Sequence, residues 1–495
     1  MTTTPFARCA LALALAACGS KKSSPAEGTG SAAAPPAVPA PRPPPPPPQP
    51  LPPLAADPGD ATGAVEVVTA FGGTGTDSTR AIAVAPDGGA YVAGYFDGVA
   101  TFPPLSVTGA GKSDAFVARV GADGAFAWVT PVASANEDTA EALAVGADGA
   151  VTIGGLFSAE LHLGDLAATA GGSDDLFVAS VTAGGEPRWL WTAGGPGSDA
   201  VTALAATPDG GYVVGVSFYG KVKFGSIEAE AKGFDDAALI KLSSAGAVEW
   251  VTPIAGDGSE QIKRLAVDGN GDIFLLGTFQ QSIDLGGGPL NSAGAMDLLI
   301  ARFDASGRHV WSKRAGNPWN EVAGGIAVDR AGGVVITGSF DRDLDFLGTP
   351  LVAAGESDVL VARLTGDGAL VWANRFGSER EDIGYGIGVD DAGNAVVTGW
   401  FESPVDFGNG RLKGKGQKDG FVAKFSAAGP AVWSRRFGDW DNDSGNAVAV
   451  APNGTIWLTG IFRYQLDLAT PTVTARSEPG ARIARPDAFV ARLSR

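Results

Sequence analysis

The chain repeats itself every 61 residues, and that period limits the folds open to it. Phe recurs as Phe96, Phe157, Phe218, Phe279, Phe340, Phe401 and Phe462, and Gly as Gly88, Gly149, Gly210, Gly271, Gly332, Gly393 and Gly454. Trp128, Trp189, Trp250, Trp311, Trp372 and Trp433 form a third column. Asp114, Asp175, Asp236, Asp297, Asp358 and Asp419 form a fourth, and its last member, Asp487, comes seven residues late. Self-similarity at this spacing marks an array of supersecondary units that must stack to bury their apolar faces.

Within a unit the signals are those of strands, with no helical period. Short apolar runs such as Tyr91–Phe96 are bounded by Gly and Asp. Asp87-Gly88, Asp148-Gly149 and Asp209-Gly210 sit where a tight hairpin is needed. Four strands are expected per unit, in the first at Arg80–Ala85, Ala90–Phe96, Ala115–Val120 and Phe126–Val132. The stretch from Asp97 to Ser113 suits a small hairpin of its own.

Two patterns close the array into a ring. The first strand carries small residues in one column, Ala83, Ala144, Ala205, Ala266, Ala327, Gly388 and Ala449, as sheets converging on an axis require. The seventh unit ends without a Trp strand, while Val65–Gly72 precedes the first unit and aligns with Trp433–Gly438 by whole periods. Val67 takes the Trp position, and the amino-terminal strand is expected to complete the last blade, removing exposed sheet edges. The fold expected for residues 65–495 is an all-β, seven-bladed β-propeller.

The recurring Gly-Tyr-Phe, Asp-Ala-Phe-Val-Ala-Arg, Gly and Trp resemble the seven-bladed propeller repeats called SBBP over residues 65–495. That resemblance implies a secreted or surface bacterial protein and supplies no agreed activity. Gly246–Trp250 and Gly368–Trp372 also look like repeats of quinoprotein propellers, and of the lipoprotein propeller that assists outer-membrane barrel assembly; seven repeats weaken that match, since those usually have eight blades.

Net charge is −18, which argues against a nucleic-acid partner and against docking on anionic lipid by charge. Cys9 and Cys18 are the only cysteines, so no disulfide can staple the body. Arg8 and the apolar run to Ala17 read as a signal peptide over residues 1–17. Leu15-Ala-Ala-Cys18 resembles a bacterial lipobox, which implies lipidation of Cys18 and, with Gly19 following it, residence at the outer membrane. Residues 18–64 form a Pro-rich linker, in which Ala40–Leu54 would extend about 45 Å as polyproline II.

Candidate chemistry centres on acids. Asp77, Asp138, Asp199, Glu260, Glu321, Asp382 and Asp443 fall a few residues before each innermost strand. Placed at a channel mouth, such a ring would attract cations; alternatively each acid caps its own loop backbone. Asp439, Asp441 and Asp443 space oxygen ligands as calcium loops do, but the Glu that ends such a loop is missing, with Val at 450. Arg476, Arg482 and Arg485 enrich the longest excursion and mark a candidate partner site. The Asp114 column suits a strand-opening turn, and the Phe96 and Trp128 columns suit the core.

Catalytic residues are not indicated: His162 and His309 fall on different elements of the repeat, and Gly109–Ser113 lacks the first Gly of a phosphate loop. No cofactor is implied, with Ca2+ the ion the acids would suit. The reading is a monomeric, non-catalytic binding or scaffold module for a protein or glycan, tethered to the membrane only through lipid. An outer-membrane assembly helper and a metal- or quinone-dependent propeller enzyme are the alternatives.

Overall fold

A computed structural model describes residues 62–469, 472–475 and 485–495. The signal peptide, Cys18 and most of the linker lie outside the described residues, as do Arg476 and Arg482. Every regular element described is a strand, and no described helix is long and apolar enough to cross a membrane.

Seven antiparallel four-stranded sheets follow one another along the chain. Blade 1 runs Ser78–Val84, Ala90–Phe96, Asp114–Val120 and Phe126–Val132, so its first strand begins two residues earlier than expected. Blades 2 to 6 open at Thr139, Ala200, Glu260, Glu321 and Asp382. Blade 7 comprises Ser444–Val450, Ile456–Phe462, Asp487–Leu493 and the amino-terminal strand Val65–Gly73. That last pairing is antiparallel in the register Val67↔Arg492 through Phe71↔Ala488, as the orphan strand implies. Its far end also pairs Gly72 with Thr101 and Gly73 with Ala100, in the excursion of blade 1. The amino-terminal strand therefore joins blade 7 to blade 1. Each excursion is a two-stranded hairpin, such as Glu160–Leu163 with Leu166–Thr169.

The core lies between the blades. Alternating side chains of one sheet meet those of the next, as where Val178 and Val214 share a cluster with Val201 and Phe224. Members of the small column, such as Ala144, Ala205 and Ala266, pack in these wedges. At the rim the Trp column clamps neighbours. Trp128 Nε1 donates to the Ala183 carbonyl at 3.0 Å, and Trp189, Trp311 and Trp372 repeat the bond one blade on. The Trp128 ring covers Gly185, whose φ is 89°; a Cβ there would stand 2.7 Å from the indole, so the turn takes glycine on two counts.

A further column secures the face opposite the inter-blade loops. Arg119, Lys241, Arg302, Arg363 and Lys424 on third strands reach the first hairpin turns, where they pair with Asp87, Asp209, Asp272, Asp329 and Asp390.

Candidate functional site

Antiparallel order puts the inter-blade loops and the excursions at one end of the ring and the first hairpin turns at the other. The acid column belongs to the loop end, but it is not exposed there. Asp77, Asp138, Asp199, Glu260, Glu321, Asp382 and Asp443 are all 2% exposed or less. Each accepts the amide four residues earlier, as Asp77 does from Gly73 at 2.7 Å, Asp199 from Gly195 at 2.7 Å and Asp382 from Ser378 at 2.7 Å. Burial, the largest cause throughout, raises all seven carboxyls above their ordinary range, Glu321 to about 9. The expected ring of charge at a mouth is thereby corrected: these acids cap loops and face protein, because the loop amides need an acceptor where water cannot reach.

They also latch blade to blade. The Asp77 amide donates to the Pro486 carbonyl at 3.0 Å, and Asp138, Asp199, Glu260, Glu321 and Asp443 make the same bond to the residue before the Asp column of the preceding blade. The two acid columns are thus brought side by side. The Asp column caps its own turn too, Asp175 accepting from Gly171 at 2.8 Å and Gly172 at 3.1 Å.

The Asp439–Asp443 loop is folded on itself. Asp439 accepts from Gln465, Asp443 from Asp439 and Arg463, and Asp441 pairs with the Arg463 guanidinium at 3.4 Å. Among the described residues no three His, Cys, Asp or Glu side chains are grouped to hold a metal ion. Of the candidate arginines only Arg485 is described; it is exposed and reaches Asp97 at 3.7 Å.

Sequence reasoning missed the channel lining. Every innermost strand bulges once, between Thr79 and Ala81 in blade 1 and at the same repeat position in the others. The residues left out of the ladder are Arg80, Glu141, Thr202, Lys263, Gly324, Tyr385 and Asn446. A bulge re-aims a side chain, and here an axial cavity of about 160 Å³ is lined by Arg80, Glu141, Thr202, Arg264, Tyr385 and Asn446. The signal is a column at the 61-residue period whose letters differ in every blade, the opposite of the agreement that marks the Phe, Gly, Trp and Asp columns.

The loop end also presents aromatics. Phe234 is 71% exposed, Trp440 59%, Trp319 55% and Tyr219 43%. Trp440 stacks on Tyr464 with centroids 4.3 Å apart, and the Arg342 guanidinium lies 5.9 Å from the Trp319 centroid. Arg342 and Tyr464 hold φ of 63° and 59° at a repeat position where Gly98 and Gly220 also turn left-handed. Keeping large side chains there costs backbone strain of the order of 1 kcal/mol or more each. A groove of about 720 Å³ runs beside Trp319 and Arg342, bordered by Glu356 and Glu379.

The fold defines the chain as a seven-bladed β-propeller, and no family model matches it. Over 345 residues it is 27% identical to the regulatory protein FlaEY of Caulobacter vibrioides, covering 64% of this chain and 35% of that protein. Over 231 residues it is 21% identical to a WD repeat-containing protein of Acanthamoeba polyphaga mimivirus, covering 39% of this chain and 17% of that protein. The chain therefore spans about a third or less of the length of these relatives. Among solved structures, the WD40 domain of Neurospora crassa Pan2 is similar at 9% identity, with a TM-score of 0.36 over 72% of this chain and 89% of that one. A puromycin hydrolase is similar at 12% identity, with a TM-score of 0.43 over 82% of this chain and 55% of that one.

Proposed function

We propose that this propeller is a non-catalytic binding module whose partner, a protein or glycan, docks on the loop end. The observation that carries the reading is the display of Phe234, Trp319, Trp440 and Tyr219 on that end. Aromatics stacked or flanked by cations are the groups from which binding hot spots are built. The left-handed backbone that holds Arg342 and Tyr464 against Trp319 and Trp440 supports the same reading, since strain kept at a surface needs a return. Similarity to a regulatory protein and to a WD repeat-containing protein fits a binding role.

The address follows the leader: an envelope lipoprotein of SBBP-like repeats, anchored by a lipid on Cys18 and spaced from the outer membrane by the Pro-rich linker. The test is crosslinking of the tethered chain in cells with identification of what is captured. Capture by the native chain and loss with Trp319→Ala/Trp440→Ala, at unchanged melting temperature, is the expected result. Capture that the double variant leaves untouched would remove the loop end as the docking surface. Recovery of barrel proteins would instead identify an assembly helper.

A further inference from the structure

The axial cavity carries a charge pattern that the rest of the chain does not. Its charged lining is two guanidiniums, Arg80 and Arg264, against one carboxylate, Glu141. Arg80 Nε lies 3.6 Å from Glu141, so that pair is neutral and leaves Arg264 as the surplus. A net cation in the channel of a protein whose net charge is −18 is a local reversal of sign.

Arg264 also breaks a rule of the repeat. One residue past each bulge stand Ala81, Ala142, Ala203, Gly325, Gly386 and Ala447, all Ala or Gly, and in blade 4 alone the position is Arg264. Nothing in the packing of the other six blades calls for a long side chain there. Its Nη1 donates to the Lys263 carbonyl at 2.8 Å, and among the described residues it forms no ion pair. A guanidinium has five N–H donors, so most of this one remains to be used. Burial holds its pKa below the ordinary value; Glu141 opposes that effect and Arg80 adds to it. Arg264 is half-buried, and partly desolvating a cation without a paired counter-charge is unfavourable; a ligand that supplies the counter-charge would relieve it. Of the rest of the lining, Tyr385 offers a hydroxyl and Asn446 the second N–H of an amide whose first donates to the Thr79 carbonyl at 2.9 Å, while the Thr202 hydroxyl donates to the Gly215 carbonyl at 3.3 Å. At about 160 Å³ the cavity is well below the roughly 300 Å³ at which drug-sized ligand pockets begin.

We propose that the axial cavity binds a small oxyanion, a phosphate or carboxylate group, held chiefly by Arg264 with the Arg80–Glu141 pair beside it. The site is separate from the loop-end aromatics, and its success or failure is independent of the partner reading. Arg264 joins the side chains that the bulges turn inward, in a cavity where the Arg80 and Glu141 side chains stay 38% and 31% exposed and so open to a small solute.

The test titrates the full chain with inorganic phosphate, and in a parallel arm with acetate, against chloride at matched ionic strength. Binding is read by calorimetry and by thermal melting. Saturable binding of one equivalent and a raised melting temperature are expected for the native chain with at least one of the two anions. The arm that responds distinguishes phosphate from carboxylate. Arg264→Ala, which restores the residue type of the other blades, is expected to fold and to weaken binding at least about tenfold, the loss of a charge-assisted hydrogen bond. Glu141→Gln, which removes the competing carboxylate, is expected to tighten it. No heat and no shift with either anion in the native chain, or binding that survives Arg264→Ala, would overturn the proposal.

Discussion

Glu260 opens blade 4 against Asp236 of blade 3, its amide bonded to the Asp235 carbonyl at 3.0 Å and both carboxyls wholly out of solvent. Glu260 Oε1 and Asp236 Oδ1 have no hydrogen-bond partner beyond the other's carboxyl, and between blades 5 and 6 Asp382 Oδ1 and Asp358 Oδ1 are likewise buried without a partner, the Asp358 charge acting on Asp382. Two such acids are held together most easily when a proton remains on one of them. Burial and then Asp236 push Glu260 up to about 8, and burial and then Asp297 push Glu321 to about 9.

These shifts set the pH response. Unfolded, the acids release their protons near their ordinary values; folded, they keep them to higher pH. Across the interval the native state binds more protons, so stability falls as pH rises. The melting temperature should be highest near pH 5 and decline towards pH 9, with Glu321→Gln flattening the slope and melting above the native chain at pH 9. Thermal melts across that range decide it; a melting temperature that rises from pH 5 to pH 9 would contradict the assignment.

Ring closure rests on Phe71, which is 1% exposed and lies 5.0 Å from the Phe102 ring and 4.9 Å from that of Phe126. Phe71→Ala should cost about 3–5 kcal/mol. Deletion of residues 65–73 should do more, leaving Asp487–Leu493 as a bare edge that pairs with other copies. Denaturant unfolding measures the first, and light scattering the second.

Lys424 and Asp390 form an ion pair at 3.3 Å with 3% and 8% of their side chains exposed. Lys424→Ala strands the carboxylate and should destabilise by about 3–5 kcal/mol, whereas removing both partners with Asp390→Ala/Lys424→Met should recover much of that loss. A double-mutant cycle in urea gives the coupling.

For the proposed anchor, Cys18→Ser should move the chain from the membrane fraction to the soluble one. Mass spectrometry of the native amino terminus should find acyl chains on Cys18.

Much of this architecture was legible before any coordinates. Val67 in the Trp register was sufficient to place Val65–Gly73 in blade 7, because strand pairing repeats with the period and a missing strand must be found elsewhere in the chain. The acids were legible as a column but not as buried groups, since Asp77 reads the same whether it faces water or the Gly73 amide. Arg80, Glu141 and Arg264 were not legible as a set. A bulge depends on how one strand sits on its partner, and no letter at position 80 announces it. The exposed Trp319 and Trp440 were hidden for a related reason: they stand outside the Trp column, and their nearness to Arg342 and Tyr464 arises only when the first two strands of blades 5 and 7 pair.

The bulge in each innermost strand also separates two duties that β-structure usually combines. Arg80, Glu141 and Tyr385 stand outside the pairing that holds their sheets, whereas Gly324 has no room for a Cβ beside the Gly384 carbonyl and Asn446 ties blade 7 to the Thr79 carbonyl of blade 1. The molecule thus carries a few replaceable inward positions on an otherwise repetitive frame, and a new specificity at its centre can be written one residue at a time.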